Sequence, residues 1–363
     1  MLLRAYTSRA SHLIRFTTSL RTTATAAPSQ SRRTVLHHHR KIHTNTGGNM
    51  TPPSTAAPRK RRNIFLDFDG TITTQDTISE LARFALSLQA SRGRGTELEA
   101  AWDKVVKAYM TGYKACVDGH HTPAARRTTR DQEVEFLRQM KDSEVTSLER
   151  IRECEVFRGI TPDEFRAAGR RLVEDGTIKL RPGFHEFVSR MQQQQQDEVG
   201  GEGVARDGGS GSGCKVWVLS VNWSSAFIEG ACWPSRVHVI ANNISSADGS
   251  VVGPELLLSP RSADHRTLTN SVDKLDAMRA ALASVSAEFP GFAAETVYMG
   301  DSITDMECIL AADRAIVMSD AADSTLLETL RRVGTEVRNV ADGEPGGIVW
   351  ASSFEEIEKQ GFC

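Results

Sequence analysis

No run of eighteen apolar residues occurs in the 363-residue chain, so no segment is suited to cross a bilayer as a helix. The six cysteines (Cys116, Cys154, Cys214, Cys232, Cys308 and Cys363) include no Cys-x-x-Cys pair. That scatter argues against a zinc site and a disulfide framework, and it suits a reducing compartment. Acids are missing from one end only. Residues 1–66 hold twelve Lys or Arg and no Asp or Glu, leaving 32 basic against 46 acidic residues beyond them. A body with a surplus of about 14 negative charges is a poor match for nucleic acid, whose phosphates need basic surface. The rest of the composition, 39% hydrophobic and 25% charged, is that of a globular protein with a sizeable core.

The first fifty residues are rich in Arg, Ser, Thr and Ala. This is the composition of a mitochondrial transit peptide, and residues 1–20 can be drawn as a basic amphipathic helix. Met50 offers an alternative start that would leave a shorter product in the cytoplasm. His37–His39 lie within this leader and read as compositional. Residues 51–62 read as a linker, and the basic run Arg59–Arg62 is a weak nuclear signal.

The chain then enters Asn63-Ile64-Phe65-Leu66-Asp67-Phe68-Asp69-Gly70-Thr71-Ile72-Thr73. Its apolar run predicts a strand buried on both faces. In an extended backbone Asp67 and Asp69 project to one side, and Gly70 permits a sharp turn that brings backbone N–H groups near a ligand. Two adjacent carboxylates need a cation between them or a shared proton. About a hundred mainly helical residues follow, with apolar spacing at Ile78, Leu81, Phe84 and Leu88, around 97–115, over 131–157 and over 161–175. Thr161-Pro162-Asp163-Glu164 is a strong helix start. Trp102, Tyr109 and Tyr113 fall at helical spacing and read as core, Arg126-Arg127 as a solvated loop, and Asp76 as part of a helix cap rather than a residue of the crevice.

A helix is predicted from Phe184 to Met191, then a Gln-rich and Gly/Ser-rich segment, 192–213, that reads as a disordered insertion. Strand and helix then alternate: Val216–Leu219, Val237–Ile240, a hairpin near Asp248-Gly249, a helix over 273–282, a strand over 296–299, a helix over 301–311 and a strand over 315–318. Alternation of this kind predicts an α/β fold with a doubly wound parallel sheet, which binds ligands at the C-terminal strand ends. Asp67, Ser220 and Asp301 all fall at such ends. Asp301 and Asp305 sit four apart, and Lys274 adds a cation ahead of a helix. Acids from two strand ends form an all-oxygen site suited to Mg²⁺. A hydroxyl, a lysine and exposed N–H groups suit a phosphate dianion.

Asp-Phe-Asp-Gly-Thr-Ile-Thr, Ser220, Lys274 and Gly300-Asp301-Ser302-Ile303-Thr304-Asp305, in this order, resemble the haloacid dehalogenase-like superfamily, and in particular its aspartate-nucleophile phosphatases. The helical stretch just after the first motif is similar to the phosphoserine-phosphatase-like branch. The resemblance implies a Rossmann-like core over 63–75 and 177–363, with an inserted helical cap over 76–176. It implies Asp67 as nucleophile, Asp69 as general acid and base, and Mg²⁺ held by Asp67, the Asp69 carbonyl, Asp301 and Asp305. Gly70, Ser220, Asn222 and Lys274 would hold the phosphoryl group of a small phosphorylated metabolite. Superfamily dehalogenases lack an acid at the position of Asp69. Lys215 is a second candidate for the lysine, and Asn222 reads equally well as a helix cap. Where phosphoserine phosphatases have Ser-Gly-Gly-Phe, this chain has Ser220-Val221-Asn222-Trp223, which points to another substrate. A phosphotransferase or mutase on the same fold, and a non-catalytic module that keeps it, are the other readings. His185 and His238 read as structural.

Overall fold

The computed structural model describes residues 60–197, 214–257, 266–290, 293–342 and 347–362. The leader, most of the Gln/Gly/Ser insertion and Cys363 lie outside the described residues. Strand β1 (Lys60–Leu66) opens the core, so the expected linker gives up its last three residues to the sheet. Ile64, Phe65 and Leu66 are fully buried. Because side chains alternate across a strand, Ile64 and Leu66 join the apolar cluster on one face and Phe65 the cluster on the other.

Five helices follow: α1 (Ile78–Ser91), α2 (Gly95–Gly119), α3 (Arg130–Gln139), α4 (Lys141–Cys154) and α5 (Pro162–Glu174). The single helix expected over 131–157 is broken at Met140, whose backbone separates α3 from α4. Both α3 and α5 begin with a capping box, in which Thr129 and Thr161 exchange hydrogen bonds with Gln132 and Glu164.

Helix α6 (Phe184–Asp197) runs six residues past the expected end at Met191. Glutamine is a good helix former, and Gln192 also donates to the Arg236 carbonyl, so the Gln run continues the helix. Then come β2 (Lys215–Leu219), α7 (Ser225–Ala231), β3 (His238–Ile240) and the small antiparallel pair β4 (Asn243–Ile244) and β5 (Val251–Val252). Helix α8 (Ser271–Glu288), β6 (Ala293–Gly300), α9 (Met306–Ala311), β7 (Arg314–Met318), α10 (Thr325–Arg332), β8 (Arg338–Asn339), β9 (Ile348–Ala351) and α11 (Phe354–Lys359) complete the order. Residues 303–305 form one tight turn before α9, so the helix expected from Asp301 starts later.

Seven strands form one sheet in the order β3-β2-β1-β6-β7-β9-β8, and every pairing in it is parallel. Chain order runs outward in both directions from β1, except that β9 lies inside β8 at one edge. The C-terminal end of β1, flanked by the ends of β2 and β6, is therefore the switch point where such sheets leave a crevice. No described helix is long and apolar enough to cross a membrane.

The helical stretch is seated on the core beside that crevice. Trp223, in the loop after β2, meets Trp102 of α2 and Phe157 edge-on at 6.3 and 6.0 Å between centroids. Helix α5 crosses α7 backbone to backbone. A Cβ on Gly230 would lie 1.9 Å from the Arg166 carbonyl oxygen, and one on Gly169 would lie 2.1 Å from that of Phe227. Gly230→Ala is therefore expected to lower stability by about 1–3 kcal/mol, the usual cost of overpacking. Thermal unfolding checks this, and an unchanged midpoint would mean that the two helices separate freely.

Candidate active site

The first loop is shaped by its own backbone. Asp67 extends β1 by one bond, donating its N–H to Met299 O at 2.8 Å. Gly70 then turns at φ +82°, and a Cβ there would lie 2.2 Å from Asp301 Oδ2. The turn therefore needs glycine twice, for the left-handed backbone and for the close approach of the second acid-bearing loop. Arg181, buried in the Leu180-Arg181-Pro182-Gly183 turn, fastens the loop from behind. Its guanidinium donates to Gly70 O at 2.9 Å, Ser352 O at 2.7 Å and Asp320 Oδ1 at 2.5 Å. Nothing in the sequence marks this role beyond a charged residue inside an otherwise apolar turn.

Asp67 and Asp69 are both nearly buried, 3% and 8% exposed. Oδ1 of Asp69 accepts from the N–H and hydroxyl of Thr77 at 2.8 and 2.6 Å, and Oδ2 accepts from Asn222 Nδ2 at 2.8 Å. Burial raises the Asp69 carboxyl above its usual range, and the Thr77 and Asn222 hydrogen bonds oppose the shift without cancelling it. Asn222 is thus committed to the second acid. Its amide group also lies 3.2 Å from the Thr77 hydroxyl, so the contacts the structure gives it are with Asp69 and Thr77. It does not cap α7 either, since Ser224 takes that position with its side chain on Phe227 N.

Lys274 stands in the first turn of α8, where Asn270 accepts from Asp273 N as cap. Its ammonium is fully buried, 2.8 Å from Asp67 Oδ1 and 2.6 Å from Asp305 Oδ1. Lys215, the other candidate, lies at the opposite end of β2 with its ammonium over the Trp217 ring. The choice left open by sequence falls to Lys274. Asp305 accepts from Tyr298 OH, from Asp301 N, and from the N–H and hydroxyl of Ser302, besides Lys274. With five donors on two oxygens, Asp305 braces Asp301 and Lys274. Tyr298 was not singled out from sequence, because inside a strand it reads as core.

Carboxylate oxygens of Asp67, Asp301 and Asp305 lie within 4.8 Å of one another. Burial, with Asp305 next, pushes Asp67 well above the usual carboxylate range; Lys274 pulls it down and Asp301 adds to the rise. Three acids facing one ammonium, with oxygen donors only, fit a hard divalent cation such as Mg²⁺. Asp67, Asp69 and Ser220 line one cavity of about 220 Å³. Asp76 and Tyr113 line it as well, so Asp76 reaches the crevice and Tyr113 is not simply helix core. Arg127 is likewise no solvated loop residue, being buried and paired with Glu133 at 2.8 Å. His185 hydrogen-bonds Ser235 and His238 lies beside Trp217, both outside this cavity.

The sheet is doubly wound and parallel, with its paired acids at the switch point and a second acid loop against them, which is the arrangement that the resemblance of the motifs to the haloacid dehalogenase-like superfamily implied. No family model matches the chain. It is 24% identical over 288 residues to the bifunctional TH2 protein, mitochondrial, of Arabidopsis thaliana, a match that covers 75% of this chain and 41% of that protein. It is 25% identical over 267 residues to cold tolerance protein 1 of Saccharomyces cerevisiae, covering 68% of this chain and 75% of the yeast protein. Among solved structures, a phospho-aspartyl intermediate analogue of phosphoserine phosphatase aligns over 83% of this chain and 98% of its own, at 16% identity and a TM-score of 0.40.

Proposed function

We propose that this chain is a Mg²⁺-dependent phosphomonoester hydrolase that acts on a small phosphorylated metabolite through an aspartyl-phosphate. The observation that carries this reading is the meeting of Asp67, Asp69, Ser220, Lys274 and Asp301 at one crevice, from four separate parts of the chain. The Asp67 carboxylate attacks phosphorus while Asp69, protonated, gives its proton to the departing alkoxide as the P–O ester bond breaks. Asp69 then takes a proton from water, the resulting hydroxide attacks phosphorus, and the bond to Asp67 breaks to release orthophosphate. Burial, which raises Asp69, supports its starting as the acid. Lys274 holds Asp67 in place and offsets its charge, and Ser220 is placed to meet a phosphoryl oxygen. Asp67, Asp301 and the Asp69 carbonyl would hold Mg²⁺, with Asp305 behind them, and the ion would offset repulsion between nucleophile and ester.

The full chain with 4-nitrophenyl phosphate and Mg²⁺ is expected to release phosphate steadily without an added acceptor. EDTA should remove most of that rate, and excess Mg²⁺ should restore it. A single burst without steady release would favour transfer to an acceptor other than water. No release from a folded protein would favour the non-catalytic module. A mitochondrial destination is part of the same proposal, supported by the acid-free leader, and the word also stands in the name of the Arabidopsis relative. Residues 1–50 fused to a fluorescent reporter are expected to carry it into mitochondria, and a cytoplasmic reporter would favour initiation at Met50.

A further inference from the structure

The lining of the cavity is mixed: Asp67, Asp69 and Ser220 are joined by neutral polar residues, Asn270, Ser271, Ser302 and Thr304 among them, and the rest is mainly apolar. The apolar part is formed by Tyr113, Phe136, Leu137, Met140, Val221 and Ile303. Four of these walls are rigidly placed, since Phe136, Leu137, Met140 and Val221 are each no more than 7% exposed. The Phe136 ring is held by Arg127, whose guanidinium carbon stands 3.8 Å from the ring centroid. Two further carboxylates line the space, Asp76 and Glu144. Each is fixed by a donor: Asp76 accepts from Ile78 N at 2.9 Å, and Glu144 from Tyr109 OH at 2.7 Å.

Among the described residues, no Lys, Arg or His lines this space. The cations packed around it are already matched, Lys141 to Asp273 at 2.7 Å and Arg127 to Glu133 at 2.8 Å. A second negative group on a substrate would thus meet two carboxylates and, apart from neutral hydroxyl and amide groups, no cation to balance it, in surroundings that screen poorly. An apolar body would instead displace water from six largely apolar side chains.

We propose, resting on the phosphatase reading above, that the substrate is the phosphate ester of a bulky, apolar alcohol that bears no second negative charge. Tyr113, Phe136 and Met140 select the body, and Glu144 rejects anions. Val221, which stands where the second motif of phosphoserine phosphatases has glycine, adds one of these apolar side chains.

The test compares benzyl phosphate with 4-carboxybenzyl phosphate, whose reacting bonds are alike. With the full chain and Mg²⁺, kcat/KM is expected to be at least about tenfold lower for the carboxylate, since like charges are brought together without compensation. Glu144→Gln is expected to narrow that ratio at least about threefold, whatever it does to the absolute rates. Calorimetry with the two matching benzylphosphonates, which cannot be hydrolysed, reads the same preference in binding alone. Equal handling of the pair in both assays, preference for the carboxylate, or failure of benzylphosphonate to bind would overturn the proposal. Charge-selective phosphonate binding with no ester hydrolysed would uphold this pocket and overturn the phosphatase reading instead.

Discussion

Asp67→Asn is expected to lower steady phosphate release by about 10⁴-fold or more, because it removes the atom that bonds to phosphorus. The same substitution is expected to leave the metal-free protein no less stable, and to raise its thermal midpoint at neutral pH. The reason lies in the sign of the shift. Burial and the neighbouring Asp305 and Asp301 outweigh Lys274 and hold the Asp67 carboxyl well above its ordinary range. A folded-state value above the unfolded one means that the ionised form is less favourable in the folded protein. Its charge therefore costs stability at every pH above the ordinary carboxylate range. Asparagine removes that cost and keeps the shape, while Lys274 retains Asp305 at 2.6 Å as its partner. Mg²⁺ should stabilise the wild-type chain by mass action and the variant much less. Thermal scans with and without Mg²⁺, beside a phosphate-release assay, check all three. A variant that released phosphate at the wild-type rate would remove Asp67 from the chemistry. A variant that unfolded well below the metal-free wild type would show that the carboxylate is a structural anchor, not a strained one.

Such trade-offs arise where function overrides the rules of packing, and those rules explain what was legible before the structure. The strand before Asp67 declared itself because a buried parallel strand must be apolar on both faces, and Ile64, Phe65 and Leu66 are. Asp67 and Asp301 were legible because an acid at the end of an apolar strand has no packing reason to be there. Lys274 was legible only by its place in the order, and the rival Lys215 could be set aside only once β2 had a direction in the sheet. Contacts across the fold were not legible. Asn222 reaches Asp69 over 153 residues of chain, and nothing local to either distinguishes that from a cap or a phosphate ligand. Arg127 looked like surface because isolated arginines usually are, but Glu133 and Phe136 give its charge and its flat face partners in the interior. The helix through Gln192 was missed for the opposite reason: a low-complexity composition suggested disorder where helix propensity and one tertiary contact sufficed.

Lys274→Met tests the other half of the charge balance and should have the largest effect on folding. Methionine keeps the apolar stem but leaves Asp67 and Asp305 facing each other with their ammonium gone. Removing one partner of a buried ion pair costs about 3–5 kcal/mol. Phosphate release should fall by about 10²–10³-fold, the usual loss when a single preorganised charge is taken from such a site. Burial pulls the Lys274 ammonium down, but Asp305 and Asp67 together more than reverse this and hold it above the ordinary lysine value. A raised lysine contributes in full below its unfolded value, about pH 10.4, and loses that contribution only as pH rises through the higher folded value. The gap between wild type and variant should therefore stay constant from neutral pH to about pH 10. It should narrow in acid, where Asp67, raised as it is, takes up a proton and no longer needs a counter-charge. Asp67→Asn combined with Lys274→Met should cost less than the sum of the two alone, since each removes the reason for the other. Denaturant unfolding of the three variants across pH measures this coupling directly. Strict additivity would mean that the lysine and the nucleophile, 2.8 Å apart, do not share one charge balance.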